Sequence, residues 1–402
     1  MKKIVLFGAG KIGRSFIGQL FSNGGYEVVF IDINHELIQA LNEKKSYFVK
    51  IKSDTEDIIL SIDNVRGIHI EEINAIIQEI KSCSIIATCV GIKNLPVVLS
   101  VIGQGLREKY TGVIKDPTDI IIAENLRNGA SYFFNELSGN LPAELLKSNI
   151  GLVETSIGKM VPIMSKSDIE EDSSQVFAEP YNTLILDKKG FKNPIPEIPG
   201  LAPKENIKAW VDRKSLIHNL GHAATAYFGY LKHPDWTYLY EILADREVES
   251  FAKKSMLESG NILQKKYPGE FTNEHIKDHI DDLILRFRNR NLGDTVYRVG
   301  LDLNRKLNRQ DRLSSAIHLA LQFQMPYSQI LYALICGMYF RAVDEFEKMY
   351  PGDIQFSQYI KKKGIHHVLE NLCGFNPVLN TELFIRAEKY NQEIIAKFNV
   401  HL

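Results

Sequence analysis

The chain has 402 residues, with 48 Lys and Arg against 49 Asp and Glu, for a formal charge of −1. That balance speaks against a nucleic-acid partner, which calls for a basic excess or stripe, and no apolar run approaches the roughly 20 residues of a membrane span. The length suits two domains, and 45% hydrophobic with 24% charged residues suits ordinary globular cores.

In chain order, the opening MKKIVLFGAG has a basic pair and a short apolar run but passes at once into glycines. It lacks the small-residue cleavage region of a signal peptide, so it reads as a first strand. Residues 3–7, 27–32, 84–90 and 119–123 are nearly continuous apolar runs, as expected for strands covered on both faces in a parallel sheet. Residues 13–23 follow helical spacing and make a βαβ unit of the first two strands. The alternation over 46–70, broken at Ser53-Asp54 and Asp63-Asn64, predicts a small antiparallel insertion, and strand-like segments continue at 151–157 and 176–186. Residues 190–205 hold four prolines and two glycines and read as a connection. Beyond it, amphipathic stretches at 206–231, 236–265, 273–289, 310–348 and 379–398 predict helices. The expected architecture is α/β plus all-α: a doubly wound sheet with an antiparallel insertion over 1–195, then a helical domain over 203–402. The four cysteines, Cys83, Cys89, Cys336 and Cys373, form no CxxC pair, which suits a reducing cytoplasm.

Gly8-Ala9-Gly10-Lys11-Ile12-Gly13 is a GxGxxG turn placed directly after a strand and opening a helix. Gly8 permits the tight turn, Gly10 the approach of a pyrophosphate, and Gly13 close packing, while the helix N-terminus offers its N–H groups to phosphate. Asp32, nineteen residues after Gly13, ends the second strand, where a carboxylate accepts from both adenosine ribose hydroxyls and repels a 2′-phosphate. With Ile33-Asn34 following and no basic residue immediately after it, the pattern favours NAD over NADP in a Rossmann-type domain. Asn34, Val90 and Gly91 fall at strand ends where such a cofactor passes.

Asp212-Arg213-Lys214-Ser215-Leu216-Ile217-His218-Asn219-Leu220-Gly221-His222 opens the helical half. At about 100° per residue, Lys214, Asn219 and His222 share one side of a helix within an arc of about 140°. A lysine whose pKa is lowered by burial can exchange a proton near neutrality, asparagine N–H groups suit an oxyanion, and histidine can orient hydroxyls. The same lysine, read from spacing alone, also fits a solvated helix face. His218 and His222 have the i, i+4 spacing of zinc ligands, but no glutamate intervenes and no third ligand presents itself, so no metal site is expected.

GAGKIGRSFIG and KSLIHNLGH together resemble the polyol-specific long-chain dehydrogenase/reductase family, as do AENLRNG, FKNPIPEIPGL, RVG at 298–300 and RKL…DRL at 305–313. The likeness covers nearly the whole chain, and the K-x4-N-x2-H pattern at Lys214, Asn219 and His222 is its most specific part. It implies a monomeric, metal-independent enzyme that uses NAD to interconvert a sugar alcohol and a ketose, in the simplest case mannitol 1-phosphate and fructose 6-phosphate. It also implies Lys214 as general acid/base, Asn219 and Asn125 (with Asn128 as the alternative) as oxyanion donors, and His222 as a substrate-orienting group. Two departures stand out: Gly158-Lys159 replaces an expected aspartate and arginine, and Arg290 an expected proline. Seven arginines lie in 286–312. Arg298 and Arg305 are the candidates for a substrate phosphate, with pairing to Asp294, Asp302 and Asp311 the plainer reading. Rival readings are a relative acting on an unphosphorylated polyol or a hexuronate, and a non-catalytic NAD(H)-responsive binding protein.

Overall fold

The computed structural model describes residues 2–53, 56–111 and 116–402. The chain divides into two compact units, Met1–Val211 and Asp212–Leu402. The first carries eleven strands among the described residues: β1 (Lys3–Phe7), β2 (Glu27–Asp32), β3 (Ser46–Ile51), β4 (Ile58–Asp63), β5 (Val65–His69), β6 (Ile85–Thr88), β7 (Thr118–Ile122), β8 (Ile150–Ser156), β9 (Val176–Ala178), β10 (Leu184–Asp187) and β11 (Leu201–Lys204). Eight of these form one sheet in the order β11-β10-β8-β7-β6-β1-β2-β5. All its neighbours run parallel except β8 and β10.

The continuous apolar runs follow from burial on both faces. In β1, Ile4 and Leu6 enter one core with Phe16, Ile17 and Leu20, while Val5 and Phe7 enter the other with Ile76, Ile80 and Ile102. Helices thus cover both sides of the sheet, and the carboxyl ends of β1, β2, β6 and β7 share one edge, where ligands bind in such folds.

The insertion is smaller than the alternation suggested. β3 and β4 pair antiparallel, but their third strand is β9, parallel to β3. Val65–His69 instead joins the main sheet beside β2, with Asp32 opposite His69. Its polar residues hid this because they find partners: Arg66 binds Glu27 and Glu79 at 2.8 Å each, and His69 Nε2 donates to the Ile33 carbonyl at 3.0 Å. The 176–186 segment is two strands in two sheets. The proline-rich stretch contains β11, an edge strand, where Pro203 costs little because one side needs no ladder partner.

The second unit is helical. Leu220–Lys232 is its central helix, with Leu220, Ala223, Ala224, Ala226 and Tyr227 fully buried. The 310–348 stretch is two helices, Arg312–Phe323 and Ser328–Met338, because Gln324 turns left-handed (φ 54°) ahead of Pro326. Pro351–Asn371 adds a helix the spacing did not show, broken at Gly364 (φ 79°), with Lys361, Lys362 and Lys363 exposed on it.

The segment after β10 is pinned by one carboxylate. Asp119, fully buried, accepts from the N–H of Lys192 (2.7 Å) and Asn193 (3.2 Å) and from Asn193 Nδ2 (2.9 Å). Asp119→Ala takes the acceptor from both N–H groups, at about 1–3 kcal/mol each, while Asn193 Nδ2 keeps the Pro117 carbonyl at 3.2 Å. Urea unfolding should lose about 3 kcal/mol for this variant; a loss below roughly 0.5 kcal/mol would show that the anchor is dispensable.

Candidate active site

The glycine turn is built from contacts that exclude side chains. Gly8 has φ +98°, and a Cβ there would lie 2.7 Å from the Cys89 carbonyl; one on Gly13 would lie 2.0 Å from the Gly8 carbonyl. A Cβ on Gly10 meets nothing within 4 Å, so the turn presents open backbone at the position read as facing a pyrophosphate. The helix that follows begins as a π-turn over Gly13–Gly18, with Gln19–Asn23 α-helical after it. Lys11 is exposed and Ile12 half-buried at its start. Asp32 accepts from the Ala9 N–H at 2.7 Å through Oδ2 and from the Asn34 N–H at 3.0 Å through Oδ1. A carboxylate has about four acceptor positions, so two remain for ribose hydroxyls. The Asn34 side chain caps the next helix by accepting from the Leu37 N–H at 3.1 Å, which leaves its backbone as the part nearest Asp32.

Two charged residues that sequence reading passed over support this edge. Arg14, 8% exposed, donates from Nε to the Ala9 carbonyl at 2.7 Å and from Nη1 to the carbonyls of Ser174 and Gln175. Burial lowers its pKa from the usual value. Glu124, also buried, accepts from the N–H groups of both Val90 (2.8 Å) and Gly91 (2.9 Å). The N–H groups of both residues are therefore committed, and their carbonyls each accept from Asn94, Val90 from Nδ2 at 2.8 Å and Gly91 from the N–H at 3.0 Å. Burial raises the Glu124 carboxyl. Cys89 donates to the Gly8 carbonyl at 3.1 Å, and burial pushes its thiol far up, so it is a packing group rather than a nucleophile.

Asn125 follows Glu124 and is exposed. Asn128, in left-handed conformation (φ 55°), precedes the Gly129–Ser138 helix, whose Ala130 N–H donates to Glu154 at 2.9 Å. Of the departures, Lys159 is buried with Nζ 2.8 Å from Asn182 Oδ1 and 5.2 Å from the centre of the Phe16 ring. A Cβ on Gly158 would make only ordinary contact with Tyr181.

In the second unit, Lys214–Asn219 is itself a π-turn between helices Ile207–Arg213 and Leu220–Lys232. A π-turn joins residue i to i+5, so Lys214 and Asn219 stand one turn apart instead of the roughly 140° apart given by α-helical spacing. Lys214 has its pKa lowered to about 8, by burial first and by the Arg312 guanidinium second, with Asp311 opposing.

His222 stacks on Phe287 (centroids 4.0 Å apart, planes at 17°). Its Nε2 lies 3.6 Å from Asp294 Oδ2 and makes no hydrogen bond among the described residues. Burial, reinforced by Arg298, Arg312, Lys306 and Arg286, drives its pKa well below the usual value, so the ring is neutral. His218 is buried edge-on to His222 and against Phe287.

The arginine-rich stretch does not form one open cluster. Arg298 pairs with Asp294, and Arg305 with Asp302 (2.5 Å) and Asp311 (3.4 Å). Arg290 lies over Tyr240, 5.3 Å from its centre. Lys306 is buried with Nζ 2.6 Å from the Val299 carbonyl, and burial beside Arg312 and Arg305 lowers its pKa to about 7.

Among the described residues, one group of three side chains has metal-ligand spacing: His35, His69 and Glu71. The two imidazoles are stacked, 3.5 Å apart with planes at 12°. An ion lies in the plane of each imidazole that binds it, and two parallel planes cannot share one, so this arrangement is not that of a formed centre.

Comparison with known proteins matches the family description "Mannitol dehydrogenase Rossmann domain" to residues 2–200 and "Mannitol dehydrogenase C-terminal domain" to residues 206–396. A mannitol-1-phosphate 5-dehydrogenase of Buchnera aphidicola is 30% identical over 97% of this chain and 98% of its own. One of Geobacillus stearothermophilus is 34% identical over 83% and 85%. Among solved structures, the Pseudomonas fluorescens mannitol 2-dehydrogenase, in ternary complex with NAD and D-mannitol, superposes with a TM-score of 0.74. It covers 98% of this chain and 92% of that one at 16% identity, and so shares the fold. A substrate-free D-sorbitol dehydrogenase superposes at 0.80, also at 16% identity, over 98% and 93%. With a glycine turn in one unit, a lysine turn in the other, and family matches that together span nearly its whole length, the chain belongs to the mannitol dehydrogenase family.

Proposed function

We propose that the protein is an NAD-dependent mannitol-1-phosphate 5-dehydrogenase that interconverts D-mannitol 1-phosphate and D-fructose 6-phosphate, with Lys214 as the acid/base. Family membership and the relatives that bear this name make it an NAD-dependent polyol dehydrogenase. The observation that carries the mechanism is the lysine amine, lowered to about 8 within a π-turn that also presents Asn219. The open backbone at Gly10 and the spare acceptor positions of Asp32 fit a dinucleotide, with Gly8 to Gly13, Asp32, Asn34, Val90 and Gly91 as the residues that hold it. NAD, when bound, supplies the hydride acceptor.

In polyol oxidation the neutral Lys214 Nζ takes the hydroxyl proton, and in ketose reduction the ammonium returns it. Asn219 and Asn125 donate to the oxygen as it gains negative charge. The neutral His222 ring, whose Nε2 is buried with no hydrogen bond among the described residues, orients a neighbouring substrate hydroxyl. These side chains carry both proton transfer and charge stabilisation, so the scheme invokes no metal. The cations acting on His222 make the surroundings favourable to an anionic substrate. Arg298 and Arg305 are assigned to the phosphate, each sharing its fork between phosphate and its present carboxylate. We assign 1–195 to the cofactor and 203–402 to catalysis, in a monomer of the cytoplasm.

The pairing of Arg298 with Asp294 and of Arg305 with Asp302 also favours a second reading, an unphosphorylated polyol. NADH oxidation with fructose 6-phosphate, fructose and fructuronate decides between them. The proposal expects kcat/KM for fructose 6-phosphate to exceed the others by about 100-fold, as two charged forks would give; preference for fructose or fructuronate contradicts it. Lys214→Ala should lower turnover by about 10³-fold, in the range of a lost general acid/base, with NADH binding nearly intact. Near-normal turnover in that variant removes Lys214 from the mechanism.

A further inference from the structure

Arg312 opens the helix Arg312–Phe323, follows its N-cap Asp311, and is only 8% exposed. Its Nε donates to Asp311 Oδ1 at 2.7 Å, and its Nη1 reaches 93 residues back to the backbone carbonyl of Asn219 at 3.2 Å. That carbonyl sits where the π-turn gives way to the α-helix Leu220–Lys232. Such a junction departs from the regular i→i+4 ladder and is held by partners outside the helix. A guanidinium is well suited to hold it, being planar, permanently charged, and able to serve a carboxylate and a carbonyl at once.

We propose that Arg312 is a positioning residue for the reaction, clamping the Asn219 end of the π-turn and fixing a permanent positive charge beside Lys214. The proposal rests on the reading of Lys214 as the acid/base. Charged and titratable groups reach the turn from several elements of this unit. Arg312 and Asp311 come from the helix 312–323 and its cap, His218 and His222 from the turn and the helix it opens, Arg286 and His279 from the helix Asn273–Phe287, and Arg298 and Lys306, which act on His222, from the segment 296–306. Lys306 titrates near 7 and also feels Arg312, so the Lys214 signal is read by itself. The helix Arg246–Lys266 meets the segment through Gly260, against Ile217, and Met256, against Gly221, and its last residue, Lys266, pairs with Asp212 at 2.7 Å, two residues before Lys214. Of these groups, Arg312 and Asp311 act on Lys214 with opposite sign, and the Asp311 carboxylate is itself shared between Arg312 and Arg305. Removing Arg312 therefore takes away a repelling cation and strengthens the pull of Asp311. Both changes stabilise the ammonium of Lys214 and raise its pKa.

The test compares wild type, Arg312→Gln and Arg312→Lys in the full-length enzyme, with two readouts. One is turnover of mannitol 1-phosphate with NAD against pH. The other is the NMR titration of ε-¹³C-labelled lysine, with the Lys214 signal assigned by its loss in Lys214→Met. For Arg312→Gln, both midpoints should move up together by about one pH unit, the shift a neighbouring charge produces. Turnover should fall about tenfold further on the low-pH side than at high pH, following the lost fraction of neutral amine, with the pH-independent loss of the clamp remaining at high pH. Arg312→Lys, which keeps the charge but not the fork, should hold the wild-type midpoint while losing turnover to a similar degree at every pH. Arg312→Gln turnover lowered equally at all pH values, with the Lys214 signal unmoved, overturns the proposal and leaves Arg312 as ordinary packing. If the NMR midpoint moves and turnover does not follow, the acid/base reading of Lys214 fails, and with it any part for Arg312 in the reaction. Should Arg312→Gln not fold, Arg312→Lys decides alone: a shifted midpoint there contradicts the proposal.

Discussion

The proposed chemistry depends on keeping an amine desolvated beside a cation. Lys214 loses water on burial and faces the Arg312 guanidinium, so its ammonium is disfavoured and the pKa falls from 10.5 to about 8. At about 1.4 kcal/mol per unit, the folded state gives up roughly 3 kcal/mol at neutral pH to hold this group. The linkage has a definite sign. Between about 8 and 10.5 the unfolded chain binds the proton and the folded chain does not, so this group's contribution to stability rises with pH across that window. Lys306, lowered to about 7 beside Arg312 and Arg305, repeats the arrangement one helix away. The packed helical unit offsets such costs through its apolar interior, above all the nearly all-buried helix Leu220–Lys232.

Both units use the same backbone device. The helix after the glycine turn and the helix bearing Lys214 each contain a π-turn, Gly13–Gly18 and Lys214–Asn219. Each has an arginine nearby that donates to a carbonyl: Arg14, inside the first π-turn, to Ala9 in the glycine turn before it, and Arg312, from a distant helix, to Asn219 at the end of the second. A π-turn widens the helix and exposes backbone groups that need outside partners. An arginine fork is a compact way to supply them while adding positive charge.

Much of this was legible in the sequence where the constraint is local. Gly8 and Gly13 are demanded by contacts within the turn and against Cys89, and the strand runs are demanded by burial on both faces, so motif and pattern were enough. Lys214, Asn219 and His222 were visible as a spaced set, yet the π-turn over Lys214–Asn219 was not, because 3.6-residue periodicity does not register one. Arg14, Glu124 and Arg312 were passed over because each acts through a backbone group distant along the chain or through a buried carboxylate, and nothing in the spacing marks them. For the same reason β5, β9 and β11 were misplaced or missed: their partners lie across the sheet. Of the two departures from the family pattern, Lys159 meets Asn182 and Phe16, and Arg290 lies over Tyr240.

The central claim is that one lysine gives and takes the substrate proton with a midpoint near 8. The most direct test is the pH dependence of turnover measured in both directions on the wild-type enzyme. Polyol oxidation needs the neutral amine and should rise through about pH 8, whereas ketose reduction needs the ammonium and should fall through the same midpoint. Two profiles that change in the same direction, or that show no transition near 8, would contradict the account.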